Sequence, residues 1–120
     1  MTSDLTTKHC ESCEGIGNAL TKEQIINLMP QLSKEWHVTA DNRQIKRSFS
    51  FKNFYETMAF VNALAWIANI ENHHPDLEVG YNYCHVVFTT HALDGLSLND
   101  FICAAKTDKL LQSGLSHQII

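Results

Sequence analysis

Glu71-Asn72-His73-His74-Pro75-Asp76, with its echo Thr89-Thr90-His91 about one hairpin later, is the stretch from which the chain is best read. Three of the seven histidines fall in these two places. Imidazole is a poor core filler, and the residue before a proline is pushed out of the α region into extended backbone. His73-His74 therefore marks a point where a helix stops and the chain turns, and where side chains can converge on one pocket.

Upstream of that point Asn53 is placed to cap a helix running from about Phe54 to Asn72. On a helical wheel Phe54, Met58, Val61, Ala65 and Ala68 form one stripe, and Phe60, Ala63, Trp66, Ile67 and Ile70 fill much of the opposite side. A helix apolar nearly all round is buried on more than one face. A domain of this size is short of internal partners for the second face, so a subunit interface is expected. Downstream, Leu77, Val79 and Tyr81 alternate with polar residues, and Cys84, Val86 and Phe88 alternate with His85, Val87, Thr89 and His91. That pattern is a hairpin turning near Asn82 and carrying His91 at its end. Ser97-Leu98-Asn99-Asp100 has the form of a capping box and opens a last helix to about Gln112.

On the N-terminal side, Thr21-Lys22-Glu23-Gln24 is another capping box and begins a short helix ended by Pro30 to Ser33. Trp36 and Val38 alternate with His37 and Thr39, which suggests a strand. After a turn at Asp41-Asn42, Ile45, Phe49 and Phe51 face one way, with Arg47 the exception on that parity. Residues 1–20 are polar with two glycines and are expected to be a flexible or loosely docked arm; residues 21–120 form one domain. The order is α-β-β-α-β-β-α. Local pairing through short connections implies an α+β fold, an antiparallel sheet with the helices on one face.

The chain has 120 residues, 44% of them hydrophobic and 18% charged, which suits one core in one domain. A net charge of −4 without a basic cluster argues against nucleic-acid binding by phosphate neutralisation. Met1 to Asn18 lacks the basic start and apolar run of a signal peptide. Met58 to Ile70, interrupted by Asn62 and Asn69, is too short to span a bilayer. A cytoplasmic location without membrane partners is expected. Cys84 and Cys103 fall in a strand and a helix, where free cysteine acts as a small hydrophobe. Cys10-Glu11-Ser12-Cys13 after His9 has the form of half a zinc site, but only His73-His74 comes near a second half, so a reduced thiol pair is expected.

Three imidazoles near one point titrate around neutrality, so one can be protonated while another is neutral. A reaction that gives one proton and removes another uses that combination. Asp100, besides capping the last helix, could orient one imidazole. Adjacent histidines rarely chelate one ion together, so no metal is expected there. His37, His85 and His117 are read as solvated or packed residues. No serine elbow, phosphate-binding glycine loop or dinucleotide fingerprint is present.

Glu71 to Leu77, followed by Tyr81-Asn82, Thr90-His91, Gly95-Leu96-Ser97 and Asp100, closely resembles the pterin-4a-carbinolamine dehydratase family. Phe49-Ser50-Phe51-Lys52-Asn53-Phe54 and Trp36 match as well, and the Cys10–Cys13 arm looks like the extension of bacterial members. The resemblance covers roughly residues 20 to 115. It implies a four-stranded antiparallel sheet with three helices, assembled as a homodimer or homotetramer. It also implies dehydration of 4a-hydroxytetrahydropterin to quinonoid dihydropterin, recycling the cofactor of an aromatic amino acid hydroxylase. Neither metal nor redox cofactor is implied. By position, His73, His74 and His91 match the active-site histidines, Asp100 an acidic neighbour, and Trp36 a tryptophan near the pocket. The residue before the double histidine is acidic in some members and is Asn72 here. Some animal relatives also act as dimerisation cofactors of a homeodomain transcription factor, and the two-sided helix is compatible with such a role.

Overall fold

The computed structural model describes residues 4–12 and 17–112. Helix α1 spans Lys22–Leu28 and begins with both reciprocal bonds of the capping box between Thr21 and Gln24. Strands β1 (His37–Val38) and β2 (Ile45–Ser50) form the first hairpin, turned by Asn42 in the left-handed region at φ 60°. Helix α2 spans Phe54–Glu71, capped by the Asn53 side chain accepting from the Glu56 N–H. Strands β3 (Asp76–Val79) and β4 (Tyr83–Phe88) form the second hairpin, and helix α3 spans Leu98–Gln112. The sheet order is β1-β2-β4-β3, antiparallel throughout, so the two hairpins meet through β2 and β4.

Strand parity puts Ile45, Phe49, Cys84, Val86 and Phe88 on the covered face, all buried, and leaves Lys46, Ser48 and Ser50 exposed on the other. Helix α2 adds Phe60 and Leu64, and α3 adds Phe101, Ile102 and Ala104, to the same core. Burying a side chain the size of Phe60 is worth about 1.5–3 kcal/mol. Arg47 keeps its inward parity because it is paired: its guanidinium bonds Asp108 on α3 and lies 4.3 Å from the Phe49 ring centre. Asp108 also accepts from the Trp36 indole Nε1–H at 2.8 Å and from the Ser33 N–H at 3.0 Å.

The structure departs from the sequence reading in four places. The packed stripe of α2 is Thr57, Phe60, Leu64, Ala68 and Glu71, whereas Phe54, Ala65, Trp66 and Ile70 are exposed. Apolar periodicity does not say which of two apolar stripes has a partner inside the subunit, and here Leu64 lies at the contact. Strand β4 ends at Phe88. Beyond it Thr90 bridges Gly95, and His91 opens a single 3-10 turn, so His91 is carried on a loop. Trp36 precedes β1 rather than belonging to it. Residues 4–12, expected to be flexible or loosely held, lie against α3, with Leu5 3% exposed in the core. Cys13 and His117 fall outside the described residues.

Candidate active site

Helix α2 ends because Asn72 takes the left-handed conformation (φ 51°, ψ 42°), which asparagine tolerates, and the His73 N–H then turns back to the Ala68 carbonyl at 3.1 Å. This closure swings His73 toward the sheet and α3. His73 is buried at 9% exposure, and its ring lies parallel to that of Phe88, with centroids 6.2 Å apart. Its Nε2–H donates to Asp100 Oδ1 at 2.6 Å.

Asp100 sits in the first turn of α3 and is fully buried. Its second oxygen accepts from the Thr90 hydroxyl at 2.8 Å and the Ser97 N–H at 2.9 Å. Thr90 has one proton and gives it to Asp100, so the 2.7 Å contact between Thr90 and Ser97 must be donated by the Ser97 hydroxyl. The cap of α3 is thus half a capping box: Asp100 covers the Ser97 N–H, but the Ser97 hydroxyl serves Thr90. Because all these donors converge on Asp100, His73 must present Nε2 as a donor, which leaves Nδ1 as the ring nitrogen not engaged by that bond.

Thr90 ties the next residue, His91, to this centre. His91 is exposed on the turn His91–Leu93, and the loop is closed by the Thr90 N–H to Gly95 carbonyl bond at 2.9 Å. Gly95 passes so close to Ala19 that an added Cβ would stand 2.9 Å from the alanine methyl. His74 is also exposed, and its Nε2 donates to Asn69 Oδ1 at 3.2 Å. No hydrogen bond directly joins two of the three imidazoles among the described residues. Asp100 is the hub: it holds His73 directly and His91 through Thr90.

Trp36 and Asp100, expected at the substrate, both lie behind the surface, at 3% and 0% exposure. The Trp36 ring packs 6.0 Å from Phe88, on whose ring His73 in turn lies, so it reaches the site through that phenyl ring. His37 is exposed, and His85 is bonded to Ser48 at 2.8 Å. Both line a depression of about 580 Å³ containing the outward Lys46 and Ser48, away from His73. A smaller recess of about 410 Å³ opens on His73, lined also by Asn72, Asn99 and the arm residues Cys10, Glu11 and Ser12. Of the two, the smaller one contains the oriented imidazole.

Glu71, two positions before His73, has a buried side chain (3% exposed) that accepts from Lys106 Nζ at 2.8 Å, the Cys10 N–H at 2.8 Å and His9 Nδ1 at 2.9 Å. Burial alone would raise its pKa; these three donors outweigh it and hold the carboxyl down at about 2. Glu71, Asn99, Thr90 and Ser97 received no site role from the sequence. Glu71 and Asn99 gave no local signal, because their partners are 61 and 88 positions away.

The pterin 4 alpha carbinolamine dehydratase family profile matches residues 18–110. A Legionella pneumophila (strain Lens) protein provisionally named pterin-4-alpha-carbinolamine dehydratase is 81% identical over 111 residues, covering 92% of this chain and 98% of its own. A Nitrosomonas eutropha protein with the same provisional name is 59% identical over 110 residues, covering 92% of this chain and 96% of its own. Among solved structures, a transcriptional coactivator/pterin dehydratase from Brucella melitensis superposes with TM-score 0.72 at 27% identity, over 82% of this chain and 99% of that one. A pterin dehydratase-like RuBisCO assembly factor of the alpha-carboxysome shares the fold at TM-score 0.57 and 23% identity, over 65% of this chain and 90% of that one.

Proposed function

The chain belongs to the pterin 4 alpha carbinolamine dehydratase family, and on that premise we propose that it converts 4a-hydroxytetrahydropterin to quinonoid dihydropterin and water by histidine acid/base catalysis. The observation that carries this reading is the His73–Asp100–Thr90 connection, which orients one imidazole at a recess and anchors the loop of a second.

In the reaction the C4a–oxygen bond breaks. An imidazolium donates a proton to the departing hydroxyl, which leaves as water. A neutral imidazole removes a proton from a ring nitrogen, and the electron pair left there completes the new double bond. No net proton is consumed, and exchange with solvent restores the two imidazoles. His73 and His91 are assigned the proton transfers, and His74 binds and polarises the substrate. Asp100 supports the reaction by holding the His73 ring in one orientation through Nε2. Trp36 supports it by backing Phe88.

Three further parts belong to the same proposal. The activity serves tetrahydropterin recycling alongside an aromatic amino acid hydroxylase. The protein works in the cytoplasm; no helix among the described residues is long and apolar enough to cross a membrane. It functions as a homodimer or homotetramer, which Tyr55, Trp66 and Ile70, all more than half exposed on α2, support. Sedimentation of wild type beside Trp66→Glu tests the last point. A stopped-flow assay of carbinolamine loss with and without the protein tests the activity: acceleration supports it, and a rate equal to the spontaneous one overturns it.

A further inference from the structure

Residues 9–12 precede everything the dehydration reading uses, yet they are gripped by Glu71, two positions before His73, and by Asn99, next to Asp100. From one side Glu71 accepts the Cys10 N–H and the His9 ring N–H on its two carboxylate oxygens. From the other, Asn99 pairs with both backbone groups of one residue: its Oδ1 accepts the Glu11 N–H at 3.0 Å and its Nδ2 donates to the Glu11 carbonyl at 2.7 Å. That is the pairing a strand neighbour would give, supplied by a side chain. Between these holds the Cys10 Sγ meets the Cys103 Sγ at 3.6 Å and the Asn99 carbonyl at 3.7 Å. Glu71 and Asn99 are both buried, so the grip is built into the core rather than laid on the surface.

The segment so held has a purpose at the recess beside His73, because Cys10, Glu11 and Ser12 line it together with Asn72 and His73. Without the arm that recess would lose the residues that bound it on one side. We infer that Cys10–Ser12 is the outer wall of the substrate site, held against His73 by Glu71 and Asn99 acting as positioning residues; this rests on the dehydratase reading for its substrate. Glu11 is the charged side chain of the wall and is exposed. A pterin's pyrimidine edge offers an amino group and a lactam N–H, both donors, and a carboxylate accepts from both. The arm thus contributes to affinity and to preference among flat heterocycles, while the proton transfers stay with the imidazoles.

Steady-state kinetics of Glu11→Ala, Asn99→Ala and Glu71→Gln, each with its melting temperature, separate this from a merely structural strap. Loss of one or two hydrogen bonds to a bound ligand corresponds to about a tenfold effect. The expected result is that KM rises about tenfold more than kcat falls in all three, and that Glu11→Ala keeps the wild-type melting temperature because its side chain is exposed. Lower melting temperatures for Asn99→Ala and Glu71→Gln with KM unchanged in all three variants would overturn the inference. A wild-type protein that fails to dehydrate the carbinolamine overturns the dehydratase reading instead. Equilibrium titration with a stable oxidised pterin, followed by its fluorescence, then decides the wall: weaker binding by Glu11→Ala than by wild type upholds it, and equal or absent binding rejects it.

Discussion

His73 and Asp100 stand 27 positions apart in sequence and 2.6 Å apart in space, Nε2 to Oδ1, with the carboxylate fully buried and the imidazole at the margin of a recess. The pairing fixes which ring nitrogen faces inward. A buried carboxylate bonded by three neighbouring donors has one orientation, so the ring it holds is fixed with it.

Replacing Asp100 by Asn keeps the size of the side chain but removes its charge and one acceptor. The kcat of Asp100→Asn is expected to fall by roughly 10- to 100-fold, the scale of a charge-assisted hydrogen bond. An unchanged kcat would remove Asp100 from the account.

Thr90→Val deletes the proton given to Asp100 and the acceptor used by Ser97 while keeping the branched shape. Two buried groups lose their partner, and the expected cost is about 1–3 kcal/mol in urea unfolding. Because the His91 loop hangs from this hydroxyl, kcat should drop as well. Full activity with only a stability loss would show that His91 is placed by the Gly95 bridge alone.

Much of this architecture was legible from local signals. The Thr21–Gln24 box, the Asn53 cap, the α2 start at Phe54, the α3 span from Leu98 to Gln112 and the parity of Cys84, Val86 and Phe88 all depend on neighbours within a few residues, and each is found where expected. The convergence of His73 with Asp100 was readable only as an expectation, because it depends on how α2 meets α3. Long-range pairing stayed hidden for the same reason. Leu64 takes the core contact that a wheel spreads over ten residues, and Glu71 looks like any helix-terminal glutamate until Lys106 and the arm are brought to it. Arg47, an apparent fault in strand parity, is explained by Asp108 on an element 61 positions away.

Glu71 makes the acid limb of the stability curve predictable. Its folded carboxyl sits at about 2 against an ordinary 4.5. A depressed acid contributes stability that is present above pH 4.5 and lost as pH falls toward 2. The contribution is on the order of 3 kcal/mol. Urea unfolding of wild type should weaken across that window, and Glu71→Gln should be less stable at pH 7 and show a flatter acid limb. Parallel pH curves for the two proteins would contradict the assignment.

The thiols should be sluggish. The Cys10 thiol is pushed far above the usual range by its hydrogen bond to Cys103, by burial and by the nearby Glu71 carboxylate, and burial pushes Cys84 up to about 11. Thiolate is the reactive form. At pH 8 both should be alkylated by iodoacetamide at least about tenfold more slowly than free cysteine, read residue by residue by mass spectrometry. Rapid labelling of Cys10 would show that the arm is not held as described.

The account stands most directly on the rate of carbinolamine dehydration by His73→Ala, His74→Ala and His91→Ala beside wild type. Loss of a positioned acid or base costs about 10²–10⁴-fold. The account predicts losses in that range for His73→Ala and His91→Ala, and a smaller loss for His74→Ala that falls mainly on KM. Near wild-type rates in all three variants would contradict it.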